Sequence, residues 1–284
     1  MNRLQDRVII TTGGTQGVGE AIALAAAREG ARGVVICGRQ QDKGNSVADR
    51  LKELGTESLY VRCDLANVED CRHVVRRCDE MFGRVDGLVN AAADTHRGDI
   101  ENTTVEFWDH QFAVNVRAPF LLIQECVRIM RREKISGSIV NIQSVAGYAG
   151  LPFLMSYSST KGALTTLTKN LANSLRHDRI RVNGVNLGWT DTPGEVVVQR
   201  LQGAPEDWLE NGEQSSPFGR LMKPYDVANL CMFLLGPESG IMTGANIDCA
   251  QRVIGVFPPE NSPEEVAGWD DIPGGVYPVP GLDS

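Results

Sequence analysis

Residues Arg7–Thr12 (Arg-Val-Ile-Ile-Thr-Thr) run into Gly13-Gly14-Thr15-Gln16-Gly17-Val18-Gly19 and on into Glu20-Ala21-Ile22-Ala23-Leu24-Ala25-Ala26-Ala27. The first segment is a continuous apolar, β-branched run and reads as a buried strand. The last is rich in alanine and reads as a helix that can sit close on a sheet. Glycines 13, 17 and 19 let the intervening backbone turn tightly and approach a pyrophosphate. The helix then presents its free N–H groups and positive dipole end to that anion. A glycine-rich stretch alone is a weak signal, but between a first strand and a helix it is a much stronger one. Gly13, Thr15, Gln16, Gly17, Val18 and Gly19 are therefore expected to hold the phosphates of a dinucleotide.

The same rhythm continues along the chain. Strands are predicted at Gly33–Gly38, Ser58–Leu65, Val85–Ala92, Gly137–Ser144, Ile180–Gly188 and Gly244–Cys249. Helical patterns lie between them, near 17–29, 41–54, 67–82, 104–133, 155–177 and 224–235. Apolar strands alternating with helices imply a parallel sheet covered on both faces. The expected fold is a three-layer, doubly wound Rossmann-type α/β domain of about seven strands, spanning residues 1–250. Residues 189–217 break the rhythm with Trp189, Pro193, Pro205, Trp208 and Pro217, and read as a substrate loop. Residues 251–284 form a Pro/Gly-rich C-terminal extension, which either wraps a neighbouring subunit or the site entrance or is only partly ordered.

Composition narrows the function. The 284 residues carry a net charge of −8, which argues against a nucleic-acid or anionic-membrane surface. No apolar run has the length of a signal peptide or a membrane span. The seven cysteines form no C-x-x-C pair, so they are expected as reduced thiols of a cytoplasmic protein. The four histidines do not cluster with them at zinc-ligand spacing, so no metal site is expected.

Catalytic chemistry is suggested by Ser144, Tyr157 and Lys161. Ser144 ends the segment Ser138-Ile-Val-Asn-Ile-Gln-Ser144, and Tyr157-Ser-Ser-Thr-Lys161 follows. Residues i and i+4 share a helix face, so Lys161 should lie beside Tyr157. A free tyrosine, with a pKa near 10, is a poor acid–base at neutral pH. A neighbouring ammonium favours the phenolate and lowers that value. Ser144, at a strand's carboxyl end, can donate to a substrate oxygen and hold it.

Across residues 5–250 the chain resembles the short-chain dehydrogenase/reductase family. Thr12-Gly-x-x-x-Gly17-x-Gly19 matches that family's cofactor motif, and Ser144, Tyr157 and Lys161 match its catalytic residues. The resemblance implies hydride transfer at the B-face of a nicotinamide, with Tyr157 as acid–base and Ser144 as substrate anchor. Lys161 would tune Tyr157 and bind the nicotinamide ribose. By the same resemblance Asn115 would join the proton relay, Asp64 and Leu65 would contact adenine, and Gly188, Thr190 and Thr192 would meet the carboxamide and phosphates. It also implies a homodimer or homotetramer.

Three segments depart from the family pattern. The usual Asn-Asn-Ala-Gly reads Asn90-Ala91-Ala92-Ala93, so the ribose or strand contact expected of Asn90 is altered. Pro-Gly reads Leu187-Gly188, and Asp-Gly-Gly reads Asp248-Cys249-Ala250.

The second strand ends in Gly38, where an acidic residue would accept from the ribose 2′-hydroxyl of NAD. Arg39 follows, and a guanidinium suits a 2′-phosphate, so NADP is favoured over NAD. The segments expected to wall the pocket mix apolar groups (Leu151, Phe153, Met155, Trp189, Trp208) with polar ones (Asp94, His96, Gln143, Glu195, Gln199). That mixture points to a small polyhydroxylated alcohol or ketone, such as a sugar, polyol or cyclitol, touched by His96, Gln143, Ser144 and Trp189. The rival within enzymes is a 3-oxoacyl-thioester reductase, whose carrier protein could dock on Arg128, Arg131, Arg132 and Lys134. Those residues equally suit a solvated helix end. The rival from another class, a non-catalytic dinucleotide-sensing regulator, predicts a broken tyrosine–lysine pair, and this pair is whole.

Overall fold

A computed structural model describes residues 2–148 and 151–253. The C-terminal extension from 254 onward lies outside the described residues. Seven strands form one parallel sheet: β1 (Val8–Thr12), β2 (Gly33–Gly38), β3 (Glu57–Arg62), β4 (Gly87–Asn90), β5 (Ser138–Ser144), β6 (Arg181–Leu187) and β7 (Asn246–Cys249). Their order is β3-β2-β1-β4-β5-β6-β7. Consecutive strands are thus laid outward in both directions from β1, and the direction reverses between β1 and β4. In doubly wound sheets ligands bind outside the strands' carboxyl ends at such a switch point.

Each face of the sheet carries its own apolar layer. Helices α1 (Gly17–Arg28), α2 (Gln41–Glu53) and α9 (Pro224–Leu235) cover one face. Helices α3 (Val68–Phe82), α5 (Ala118–Arg132) and α6 (Met155–Leu175) cover the other. Helix α6 buries Ser156, Thr160, Lys161, Leu164, Thr168, Ala172 and Leu175. That stripe at helical spacing fixes which side of α6 faces the sheet, and so where Tyr157 and Lys161 can point.

Two elements differ from the expectation. The helix read at 104–133 is interrupted. Helix α4 (Val105–Phe112) passes through a π-helical turn, Ala113–Arg117, before α5 begins. Pro119 explains the break, because it has no N–H to donate to the Asn115 carbonyl four residues back. The segment read as a loop at 189–217 contains two helices, α7 (Pro193–Leu201) and α8 (Trp208–Gln214). Thr192 caps α7 by accepting from the Glu195 N–H at 3.1 Å, and Pro193 occupies the first turn, where its missing N–H is harmless.

Candidate active site

The carboxyl ends of β1, β4, β5 and β6 place the site. After β1, Gly17 takes a left-handed conformation (φ 59°) and starts α1. Among the described residues no side chain caps that terminus, so its first N–H groups stay open to an anion. A Cβ on Gly19 would lie 2.4 Å from the Gly13 carbonyl oxygen, so the loop and helix can approach only without a side chain there. Thr12 receives the Ala91 and Ala92 N–H groups at 3.0 and 3.1 Å, tying the glycine loop to the segment after β4. The buried Asn90 amide donates to Asn141 at 2.8 Å, and among the described residues no donor meets its own oxygen. An open helix terminus, a glycine cradle and an orphaned acceptor at the switch point fit a dinucleotide.

At the adenosine end, β2 closes on Gly38, which carries no carboxylate, and a Cβ there would meet the Thr15 side chain at 2.8 Å, so a larger residue would displace Thr15. Arg39 is exposed beside Gly38. The Lys43 ammonium, from α2, donates to Gln16 at 2.6 Å and brings a second cation to the loop. Asp64 is exposed and Leu65 is buried, just beyond β3.

The reactive groups gather where β5 meets α6. The Ser144 hydroxyl accepts from the Ala146 N–H at 3.1 Å and lies near enough to the Tyr157 phenol to lower its pKa. Lys161 is 2% exposed; its ammonium donates to the Ile142 carbonyl at 2.9 Å and lies 5.5 Å from the Tyr157 ring centre. Burial lowers this lysine from 10.5 to about 8. The Tyr157 phenol is pushed up to about 12. Burial is the main cause, the nearby Ser144 hydroxyl opposes it, and the charges of Glu195 and Arg97 act in opposite directions. The sequence reading expects Lys161 to lower the phenol; in the structure desolvation prevails.

Asn115 sits in the π-helical turn. Its amide donates to the Asp94 carbonyl at 2.9 Å and to Thr160 at 3.1 Å, and its oxygen accepts from the Asp94 N–H. Thr160 in turn donates to the Tyr157 carbonyl at 2.7 Å. Gln111, fully buried, donates to the His96 carbonyl at 2.8 Å and accepts from Ser156, the neighbour of Tyr157. Asn115 and Gln111 therefore join the segment after β4 to the start of the catalytic helix.

The residues expected to meet substrate divide. Gln143 is a correction: it is 1% exposed, and its amide donates to Thr168 at 2.9 Å, under α6 and away from the cleft. Strand alternation separates it from its neighbour Ser144. The exposed His96 ring pairs with Asp94 at 2.6 Å. Trp189 donates to Glu195 at 3.0 Å and packs against Trp208. Gly188 donates to the Cys249 carbonyl, Thr190 donates back to Gly188, and Thr192 lies beside Gly17. The sequence reading missed Lys43, Gln111 and the salt bridge between Arg97 and Glu195 at 2.8 Å. None of these contacts follows a local pattern; the Arg97–Glu195 pair spans 98 positions.

The chain's residues 13–250 match the sequence profile of a family described as enoyl-(acyl carrier protein) reductase. An uncharacterized oxidoreductase of Thermotoga maritima is 36% identical over 86% of this chain and 96% of its own length. An NADP-dependent (R)-specific alcohol dehydrogenase of Lentilactobacillus kefiri is 34% identical, covering 86% of this chain and 95% of its own. The crystal structure of the F189W actinorhodin polyketide ketoreductase with NADPH superposes with a TM-score of 0.82 at 28% identity, covering 88% of this chain and 98% of that one.

Proposed function

The chain belongs to the short-chain dehydrogenase/reductase family of oxidoreductases acting on alcohol and carbonyl groups, and on that premise we propose that it interconverts a small polyhydroxylated alcohol and its ketone, with NADP favoured over NAD. The nicotinamide supplies the hydride donor or acceptor when bound. Ser144 donates to the substrate oxygen and holds it against Tyr157. Tyr157 gives its proton to that oxygen in reduction and takes it back in oxidation. Lys161, fixed to the Ile142 carbonyl over the phenol, places a cation where the phenolate develops.

The preference for NADP is supported by the lack of a carboxylate at Gly38 and by Arg39 and Lys43 beside the loop. The NADP-dependent relative points the same way. Fluorescence titration should show tighter NADP than NAD binding, with the difference shrinking in Arg39→Ala and Lys43→Ala. Tighter binding of NAD, unchanged in these variants, would reverse the assignment.

The polyhydroxylated substrate is supported by one observation: Arg97 and Glu195, in two of the segments that wall the cleft, pair at 2.8 Å while mostly shielded from water. Buried polar groups beside a reaction centre discriminate against substrates that cannot hydrogen-bond them. The test is kcat/KM for sugars and cyclitols against apolar ketones and acetoacetyl thioesters. A tenfold preference for the apolar or thioester substrates would overturn this reading.

The likeness to a polyketide ketoreductase favours a second reading, reduction of a 3-oxoacyl thioester. Against it, Arg128, Arg131 and Arg132 already pair with Glu125, Asp178 and Asp79, so the basic helix end is a poor dock for an acidic carrier. We also propose that residues 1–250 form one catalytic domain and that the chain assembles as a homodimer or homotetramer.

A further inference from the structure

Glu195 departs from the role its position suggests. In Thr192-Pro-Gly-Glu195 the spacing is that of a capping box, in which the glutamate side chain reaches back to the cap's N–H. Thr192 keeps its half of that arrangement. The Glu195 carboxylate turns away instead, and one of its oxygens, Oε1, collects three donors. Arg97 reaches it at 2.8 Å, the Trp189 indole at 3.0 Å and the Gln199 amide at 2.6 Å. Three converging donors fix the carboxylate in one orientation, with its side chain 14% exposed. Among the described residues no donor meets the second oxygen, Oε2. Through Arg97, from the segment after β4, the carboxylate is tied to the strands' carboxyl ends, where ligands bind, and its charge raises the Tyr157 phenol.

We infer that Glu195 is a specificity-determining residue, its Oε2 accepting a hydrogen bond from a substrate hydroxyl neighbouring the carbon that reacts at Tyr157. Arg97, Trp189 and Gln199 are its positioning residues: by saturating Oε1 they leave Oε2 as the acceptor beside the reaction centre. The inference rests on the polyhydroxylated reading and deepens it. A monohydroxy substrate of the same skeleton covers Oε2 without pairing it, and an acceptor stripped of water and left unpaired is a strong basis for discrimination.

The test compares kcat/KM for cyclohexane-1,2-diol and cyclohexanol in wild type and in Glu195→Gln, at saturating NADP. Wild type should prefer the diol at least tenfold. Glu195→Gln should lose most of that preference, the diol slowing about tenfold more than cyclohexanol. Removing the negative charge should also move the acid limb of the kcat profile to lower pH, an effect that mere loosening of α7 would not give. If wild type prefers the diol and Glu195→Gln keeps that preference, or if both substrates fall equally, the assignment of Glu195 is wrong. If wild type is indifferent to the second hydroxyl, the polyhydroxylated reading fails, and the assignment with it.

Discussion

Tyr157 and Lys161 are displaced in opposite directions, and both displacements favour the neutral form. Desolvation holds the phenol protonated and makes the ammonium easier to deprotonate. Carbonyl reduction needs the protonated tyrosine, so it should run well at neutral pH and fall off in strong base. Alcohol oxidation needs the phenolate, so its kcat/KM should climb with pH. Steady-state pH profiles in both directions check this, and an oxidation rate that falls with rising pH would contradict it. Lys161 also bears on stability. Its folded value, about 8, lies below its ordinary 10.5, so the unfolded chain binds the extra proton between those values and stability should rise with pH across that window. Above about pH 10 the raised Tyr157 reverses the trend. Lys161→Met should remove the rise and add up to about 3 kcal/mol at pH 7, while abolishing turnover. Denaturant titration of that variant at pH 7 and pH 10 reads both effects. At this scale, the placement of Lys161 beside Tyr157 was legible, because residues i and i+4 share a helix face. Gln143 was misread because it adjoins Ser144 in sequence but points under α6. Glu195 was legible only as pocket polarity and its pairing with Arg97 not at all, since the fold alone brings them together.

Strands and helices were readable wherever periodicity was strong. All five residues of β1 are buried, as a fully covered central strand requires. The misses came from proline. In residues 190–217 prolines were read as loop markers, although Pro193 follows a threonine cap and opens a helix. Pro119 acted the other way, releasing the Asn115 carbonyl inside what read as one long helix. Departures at 90–93, 187–188 and 248–250 left the strands intact, because each falls at a strand end where the ladder no longer dictates side-chain size. The junction of β1 and α1 is less forgiving. Gly19→Ala places a methyl group against the Gly13 carbonyl. It should weaken NADP binding at least tenfold by titration calorimetry, and unchanged affinity would show that the loop does not hold the phosphates as described.

The whole molecule places its chemistry at the reversal of strand order between β1 and β4, with the glycine loop on one side and the Tyr157 helix on the other. Cofactor binding should therefore stabilise the folded chain as a unit. At a hundredfold excess over its Kd the gain is about 2.7 kcal/mol. A thermal melt should move upward with NADP in proportion to the logarithm of its concentration, and an unmoved melt at saturation would be inconsistent with a site built from both halves of the sheet. Val105, Trp108 and Phe120 leave apolar surface on α4 and α5, in keeping with the proposed self-association. Light scattering at micromolar concentration should find a dimer or tetramer, and a monomer alone would refute that proposal. The central claim is that this fold carries a tyrosine acid–base working at a nicotinamide, and its most direct test is Tyr157→Phe, with turnover followed by nicotinamide absorbance and NADP affinity by titration. The account predicts a kcat lower by about 10²–10⁴ with NADP affinity essentially unchanged; near-normal turnover in that variant would contradict it.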